Sequence, residues 1–165
     1  MPSPADLSAL VIAACRARQM RLATAESCTG GLIAAALTSI PGASDVVDRG
    51  YVVYSNDAKR EMLGVPLDLL AAHGAVSEPV AIAMAEGALR RSGVGIAVAV
   101  TGIAGPGGGS PAKPVGLVHV ACARLGAPTR HRRTIFPGDR DQIRAATVAD
   151  ALQLVIESID AGSLR

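Results

Sequence analysis

Apolar residues with helix-like and strand-like spacing alternate along most of this chain. Ile96–Val100 alternates Ile or Val with Ala, which is typical of a buried strand. The alanine-rich run Leu32–Ile40 has no breaker before Pro41 and predicts a buried helix. Asp139 and Gln142 have the spacing of a capping box and predict the start of the longest helix. The predicted helices are Ala5–Met20, Leu32–Ile40, Asn56–Leu63, Pro66–Ala72, Val80–Arg91 and Ile143–Ile159, and the predicted strands are Arg21–Ala25, Val46–Tyr54, Ile96–Val100, Val115–Arg124 and Thr129–Phe136.

The order of these elements indicates the fold class. Helices and strands alternate until the last two strands, which follow each other directly and are joined near Gly126, as in a hairpin. Alternation favours parallel strands covered by helices on both faces, and the hairpin adds antiparallel strands. We therefore predict an α/β fold, a three-layer α/β/α sandwich with a mixed β-sheet, formed as a single domain over residues 1–165.

The composition limits which residue types can form the core and which classes of partner the protein can bind. Half of the 165 residues are hydrophobic, but only two tyrosines and one phenylalanine are aromatic, so the core must consist of Ala, Val, Leu and Ile. A net charge of +2 and the lack of an aromatic platform argue against nucleic-acid binding. The three cysteines lack metal-ligand or disulfide spacing, and no apolar run approaches the ~18 residues of a membrane span. We expect a cytoplasmic protein without a metal site.

The stretch Glu26–Gly31 is a predicted strand-to-helix turn that contains a hydroxyl, a thiol and two glycines. Free N–H groups at a helix N-terminus attract an anion, or a carbonyl that becomes one. A nucleophile, Ser27, and an oxyanion site could therefore share this turn. The alternative is a Ser or Thr N-cap with glycines that serve tight packing. Cys28 is the second candidate nucleophile, since a helix N-terminus lowers a thiol pKa.

Lys59 is a candidate general base. The chain has fourteen arginines but only two lysines, and a desolvated Lys can lose its proton whereas Arg cannot. A general preference for arginine codons is the other explanation of that ratio. Ser55 is predicted to be a helix N-cap, which leaves Lys59 free to serve a different serine. Tyr54, at the end of the preceding strand, is either a proton relay or a core residue.

A glycine-rich segment runs from Thr101 to Pro114 and predicts a long loop, which inside a compact domain usually has a function. It is not a P-loop, because Lys113 is followed by Pro114, and it opens no helix as a dinucleotide-binding motif would. Its free N–H groups could surround a phosphate or a ribose. The alternative is an ordinary surface loop.

Six motifs in fixed order closely resemble the CinA C-terminal domain family, and the resemblance covers nearly the whole chain. They are Thr24-Ala25-Glu26-Ser27-Cys28-Thr29-Gly30-Gly31, Tyr54-Ser55-Asn56-Asp57-Ala58-Lys59, His73-Gly74-Ala75-Val76-Ser77-Glu78, Thr101-Gly102-Ile103-Ala104-Gly105-Pro106, Lys113-Pro114-Val115-Gly116 and Gly138-Asp139-Arg140. Larger CinA proteins carry an additional N-terminal domain, so we expect the stand-alone form. Relatives often have an acidic residue after Pro106, where this chain has Gly107, which leaves the contacts of that loop open.

The resemblance implies an amidohydrolase that converts nicotinamide mononucleotide to nicotinate mononucleotide and ammonia in pyridine-nucleotide salvage. It implies a serine nucleophile assisted by a lysine and a tyrosine, which map onto Ser27, Lys59 and Tyr54, with no metal and no cofactor. It also suggests a homo-oligomer, most simply a homodimer. The expected substrate-binding residues are Cys28, Thr29, Gly30, Gly31, Asn56, Thr101, Gly102, Ala104, Gly105 and Arg140.

These roles make a spatial prediction. The amine of Lys59 must lie within hydrogen-bonding reach of the Ser27 hydroxyl, in a pocket dry enough to keep the amine partly uncharged. N–H groups near Thr29–Gly31 would hold the oxyanion, while Arg140 and the Gly102–Gly109 loop would hold the 5′-phosphate. Two alternatives stay open: a catalytically silent nucleotide-binding or regulatory protein, and a serine amidase with a different substrate.

Overall fold

The structure, a computed structural model, describes residues 1–162 as a five-stranded sheet with helices on both faces. The helices are α1 (Pro4–Ala17), α2 (Leu32–Thr38), α3 (Asn56–Leu63), α4 (Leu67–His73), α5 (Glu78–Ser92) and α6 (Arg140–Ala161), with a short 3-10 helix at Ala43–Asp45. The strands are β1 (Leu22–Glu26), β2 (Val47–Val52), β3 (Ile96–Gly102), β4 (Leu117–Arg124) and β5 (Arg130–Ile135). Each predicted helix and strand is present, and the differences lie at the ends.

The strand order in the sheet is β2-β1-β3-β4-β5. Strand β1 pairs in parallel with β2 and β3, whereas β3–β4 and β4–β5 are antiparallel pairs. The predicted mixed sheet and the late hairpin are confirmed. Because β1, β2 and β3 run in the same direction, their carboxyl ends lie along one edge of the sheet, and the turn that contains Ser27 begins there.

The two faces of the sheet carry side chains of different size. Branched residues such as Leu22, Val98 and Val120 face α1, α2 and α6. The opposite face packs against α5, on which α3 and α4 lie, through a set of alanines: Ala23, Ala25, Ala97, Ala99, Ala121 and Ala123. The two-residue period of a strand produces this division, and it confirms the three-layer sandwich. Small side chains under α5 allow that helix to lie close to the sheet.

Helix α3 contacts α5 at a glycine. A Cβ built on Gly87, in α5, would lie 2.1 Å from the carbonyl oxygen of Leu63, the last residue of α3. No residue with a side chain permits this approach without a shift of backbone. The contact fixes the helix that carries Lys59 against the layer that covers the alanine face.

Most element ends differ from the prediction by up to three residues, and the end of α1 has a local reason. Helix α1 ends at Ala17 rather than Met20, because Gln19 adopts a left-handed φ of 51° and the Met20 N–H donates to the Cys15 carbonyl at 2.9 Å. Helix α2 ends at Thr38 rather than at residue 40.

Strand β2 is also shorter than predicted. It ends at Val52, although the Val53 N–H still donates to the Glu26 carbonyl at 2.9 Å. The chain then turns into α3, whose N-cap is Ser55: the hydroxyl oxygen accepts the Ala58 N–H at 3.0 Å, as predicted.

Helix α6 is the longest, with 22 residues, and starts at the predicted capping box of Asp139 and Gln142. The Asp139 side chain accepts the Gln142 N–H at 2.9 Å, and the Gln142 side chain accepts the Asp139 N–H at 2.8 Å. Within residues 1–162, no helix combines the length and the apolar character that crossing a bilayer requires.

Two histidines on neighbouring strands, the buried His119 and the half-buried His131, form a pair on the α5 face of the sheet. Nδ1 of His119 in β4 lies 2.8 Å from Nε2 of His131 in β5, and Oε1 of Glu78 in α5 lies 3.7 Å from Nδ1 of His131. Burial, with smaller contributions from His131 and Arg133, lowers the pKa of His119 to about 4. Burial also lowers the pKa of His131. Both rings are therefore neutral at pH 7.

We expect acid to destabilise the fold through this pair. In the unfolded chain His119 takes up a proton near pH 6.5, but in the folded chain only near pH 4. Between these values the unfolded state binds more protons, so stability falls as the pH is lowered, by about 2 kcal/mol from His119 between pH 7 and pH 5. Urea unfolding at both pH values measures the loss, and His119→Gln should remove most of it. An equal loss in the variant and the wild type would contradict this assignment.

Candidate active site

The structure brings together the serine and the lysine that the sequence singled out. Ser27 directly follows β1, and Lys59 lies in the second turn of α3. Lys59 Nζ is 3.2 Å from Ser27 Oγ. The lysine is only 1% exposed, although lysine side chains are rarely buried in proteins. The predicted contact between the two groups is confirmed.

The other contacts of Lys59 are two backbone carbonyls. Its Nζ donates to the oxygens of Val53 and Tyr54, each at 3.0 Å, in the segment that joins β2 to α3. A neutral amine has two N–H groups and one lone pair. The ammonium form donates to Ser27 Oγ, whereas in the neutral form, with both N–H groups bound to the carbonyls, the lone pair faces this hydroxyl. This is the arrangement that a general base for that serine requires.

Burial lowers the pKa of Lys59, because an ammonium ion loses its hydration in this position. The nearby Cys28 has the smaller, opposite effect. Among the described residues, no carboxylate lies within 4.0 Å of the amine to hold its proton. The neutral form of Lys59 is thus more accessible than that of an exposed lysine.

The thiol of Cys28 does not have the reactivity that a helix N-terminus would give it. The residue is 6% exposed, and a Cβ on Gly102 would lie 3.2 Å from its sulfur. Burial raises the pKa of this thiol to about 11, and the charge of Glu26 acts in the same direction. A thiol of this kind is protonated at neutral pH and inert. The predicted lowering of its pKa is wrong, since tertiary packing outweighs the position in the turn.

Helix α2 begins neither with a Ser or Thr N-cap nor with N–H groups that are all free for a ligand. Its N-cap is Gly31, with a left-handed φ of 108° and no side-chain hydrogen bond, so the Ser or Thr N-cap is wrong. The carboxylate of Glu26 instead accepts the N–H groups of Ile33 at 2.8 Å and Ala34 at 3.1 Å. The positive end of α2 is therefore occupied by a side chain of the protein itself, and sequence reasoning missed this role of Glu26.

Some N–H groups of the turn are still available. Gly30 N–H donates to the Ser27 carbonyl at 3.1 Å. The Cys28 N–H is directed at the sulfur of its own side chain, and the N–H groups of Thr29 and Gly31 donate to no other residue within the described chain. Gly30 and Gly31 have φ values of 57° and 108°, which favour glycine. The predicted oxyanion site therefore has free donors beside the serine, although they belong to the turn and not to α2.

Tyr54 and Arg140 meet at the mouth of this region. The phenol oxygen of Tyr54, a residue 62% exposed, accepts a hydrogen bond from Arg140 at 3.3 Å, and Arg140 also donates to the Gly105 carbonyl at 2.7 Å. The structure brings the backbone carbonyl of Tyr54, not its phenol, to Lys59. The proposed relay through the phenol is absent from this arrangement, and Tyr54 is not a core residue.

Arg144 is a site residue that sequence reasoning missed. It lies one turn after Arg140 on α6, and it donates to the carbonyls of Cys28 at 3.0 Å and Thr29 at 3.3 Å. The four-residue spacing of two arginines at the start of a helix places both on one face and could have indicated it. The last helix thereby contacts the turn directly.

The other predicted substrate-binding positions have different surroundings. Thr101 is buried, and its hydroxyl donates to the Ala75 carbonyl at 2.9 Å, so it holds the segment before α5. Gly102 lies against Cys28 at the end of β3, and Ala104 is 5% exposed. Asn56 is exposed at the start of α3. Across residues 1–162, no cluster of His, Cys, Asp or Glu could hold a metal ion.

Comparison with curated proteins places the chain among CinA-like sequences. A CinA-like protein of Akkermansia muciniphila is 51% identical over 157 residues, which cover 95% of this chain and 38% of that protein. A CinA-like protein of Anaeromyxobacter sp. (strain Fw109-5) is 55% identical over 150 residues, 91% of this chain and 36% of that protein. The chain thus spans less than half the length of these relatives.

Solved structures agree with this placement. The competence/damage inducible protein CihA from Agrobacterium tumefaciens is similar with a TM-score of 0.93 and 50% identity, over 97% of each chain. The competence damage-inducible protein A (ComA) from Klebsiella pneumoniae has a TM-score of 0.92 and 41% identity, over 96% of this chain and 98% of that one. The family description "CinA C-terminal domain" matches residues 4–159. The chain therefore belongs to the CinA C-terminal domain family.

Proposed function

We propose that this protein is a nicotinamide-nucleotide amidohydrolase, which hydrolyses the carboxamide of nicotinamide mononucleotide to nicotinate mononucleotide and ammonia. The observation that carries the proposal is the buried contact between Lys59 Nζ and Ser27 Oγ at 3.2 Å. Amide hydrolysis needs a nucleophile, a base that later protonates the departing nitrogen, and donors for the oxyanion. The site supplies a group for each of these tasks.

In the first half of the reaction, neutral Lys59 takes the proton of Ser27 while Oγ attacks the carboxamide carbon. The carbonyl oxygen becomes an oxyanion, for which Cys28 and Thr29 offer N–H groups. Lys59 then gives the proton to the amide nitrogen, the C–N bond breaks, and ammonia leaves. The acyl group stays bound to Ser27 Oγ. The carbonyls of Val53 and Tyr54 hold the ammonium form in place between these two transfers.

In the second half, a water molecule replaces ammonia. Lys59 takes a proton from the water, which attacks the acyl carbon and forms a second oxyanion at the same N–H groups. Collapse of this intermediate breaks the bond to Oγ, the proton returns to Ser27, and the nicotinate product leaves. No metal is needed, because the nucleophile, base and oxyanion donors are side chains and backbone groups of the chain.

The nucleotide part of the substrate needs a cation near this serine. We assign the 5′-phosphate to Arg140, whose guanidinium keeps further N–H donors after its bonds to Gly105 and Tyr54. The N–H groups of the Gly102–Gly109 loop are the second part of this seat. The exposed ring of Tyr54, bound to the same guanidinium, offers one face for the pyridine or ribose.

Ammonia release from nicotinamide mononucleotide, compared with free nicotinamide, tests the proposal. We expect turnover of the nucleotide and far slower turnover of nicotinamide, because only the nucleotide reaches a phosphate seat. Ser27→Ala should lower the rate by at least about 10²-fold. Ser44→Ala is the matched control, since this exposed serine lies in the 3-10 helix that precedes β2.

Two results would overturn the assignment. Binding of the nucleotide without ammonia release would indicate a catalytically silent nucleotide-binding protein. Release of ammonia from other amides, at rates that exceed those for the nucleotide, would indicate a serine amidase with a different substrate.

A further inference from the structure

We propose that Glu26 is a positioning residue, which acts through Thr29 and the first turn of α2 to aim the N–H groups of Cys28 and Thr29 at the reacting carbonyl. This inference rests on the proposed function, since it concerns the oxyanion formed in that reaction. Glu26, a buried acid outside the serine–lysine pair, thereby raises kcat without contacting the substrate.

Glu26 is fully buried, at 0% exposure. A carboxylate in such a position is costly unless donors replace its lost water. Three donors do so here: the Thr29 hydroxyl at 2.6 Å and the Ile33 N–H at 2.8 Å on Oε1, and the Ala34 N–H at 3.1 Å on Oε2. Across residues 1–162, no cation lies within 4.0 Å of it. Glu26 is therefore held only by the turn and the helix that it organises.

The contacts of Glu26 enclose the turn from both ends. The residue belongs to β1 and precedes Ser27, while its donors lie three, seven and eight residues further along the chain. The carboxylate thereby fixes the distance from the end of β1 to the start of α2. Ser27 and the free N–H groups lie in the segment whose length is fixed in this way.

The directions of the two N–H groups follow from the planarity of the peptide. In a trans peptide the C=O and the next N–H point in opposite directions. The Cys28 carbonyl accepts from Arg144, so the Thr29 N–H points away from that arginine. The Ser27 carbonyl accepts from Gly30, so the Cys28 N–H points away from Gly30. The bond from Thr29 to Glu26 is a further anchor of the turn, and its loss lets the Thr29 N–H shift although the bonds from Arg144 and Gly30 remain.

A kinetic comparison separates this role from a purely structural one. We expect Glu26→Gln and Thr29→Val each to lower kcat by about tenfold or more, with KM changed less than twofold, because the N–H groups contact the oxyanion and not the ground state. Thr29→Ser keeps the hydroxyl and should be at least about tenfold faster than Thr29→Val. Two independent variants keep the test valid if Glu26→Gln does not fold.

Arg132→Met is the control for stability. It breaks bonds of 2.6 Å from β5 to Asp150 and Glu157 in α6, far along the sheet from β1. If its kcat also falls tenfold at a similar loss of melting temperature, or if both Glu26→Gln and Thr29→Val keep the wild-type kcat, the inference is overturned.

A reagent that needs no nucleotide separates this inference from the proposed function. An alkyl fluorophosphonate reacts with a serine Oγ: the O–P bond forms, the P–F bond breaks, fluoride leaves, and Lys59 takes the hydroxyl proton. We expect the rate of Ser27 labelling, followed by mass spectrometry, to fall in Glu26→Gln and Thr29→Val but not in Arg132→Met. This outcome without nucleotide turnover would support the role of Glu26 and refute the substrate. Labelling rates equal to wild type in both turn variants would overturn the inference even if the nucleotide is hydrolysed.

Discussion

Replacing Lys59 with methionine should abolish most of the proposed amidohydrolase activity while the protein still folds. We expect kcat/KM for nicotinamide mononucleotide to fall by about 10²- to 10⁴-fold, the range for loss of a general base. Methionine fills a similar volume and leaves the carbonyls of Val53 and Tyr54 without their donor, so the melting temperature should also fall. A coupled ammonia assay and thermal unfolding measure the two effects.

Lys59→Arg makes the test specific for proton transfer. Arginine keeps a positive charge and its donors, but it cannot give up a proton in a protein. We therefore expect Lys59→Arg to be as inactive as Lys59→Met. Arg60→Met, at an exposed position on the same helix, is the control and should retain the wild-type rate. An active Lys59→Arg enzyme would show that the charge, and not the base, is what the reaction uses.

The pH dependence follows from the same residue. Because burial lowers the pKa of Lys59, its neutral form becomes available at a lower pH than for an exposed lysine. The base must be neutral to act, so kcat/KM should rise with pH until the amine is deprotonated. The residual activity of Lys59→Met should lack this rise.

Gly87→Ala should have the second large effect, although Gly87 is not a site residue. The added Cβ would meet the Leu63 carbonyl at 2.1 Å, so α3 has to move away from α5. We expect the free energy of unfolding to fall by about 3 kcal/mol. Because Lys59 moves with α3, kcat should fall as well, by about 10²-fold for a displacement of ~1 Å.

Gly107→Ala is the control for the unfolding measurement. A Cβ at Gly107 has no heavy atom within 4 Å, so its melting temperature should match the wild type. Chemical unfolding of both variants, with the activity of Gly87→Ala and the wild type assayed well below each melting temperature, separates displacement of Lys59 from loss of the fold. Wild-type stability in Gly87→Ala would mean that α3 is not held at this contact.

Local signals made much of the fold predictable. The N-cap Ser55 and the glycine that follows Leu63 delimit α3, and the capping box at Asp139 marks the start of α6. The alternation of large and small residues in β3 indicates that both of its faces are buried. The contact between Ser27 and Lys59 was predicted from a family resemblance, and no spacing rule would have given it, since the two residues are 32 positions apart.

What the sequence could not supply depends on distant packing. Glu26 caps α2 from seven and eight residues upstream, whereas the familiar capping signals act within about three residues. Arg144 reaches Cys28 across 116 positions. The position of Cys28 in the turn suggested a reactive thiol, but its burial beside Gly102 makes it inert.

The parts of the candidate site come from two separate halves of the chain. The serine, the lysine and the carbonyls that hold the amine all lie between residues 26 and 59. This segment runs from the end of β1 through β2 to the first part of α3. Arg140 and Gly105 come from later segments, and Arg140 meets this unit at the exposed phenol of Tyr54. Replacements at these later positions can therefore retune ligand choice while bond cleavage is left intact. Among proteins of this architecture, ligand preference should diverge faster than the serine–lysine pair itself.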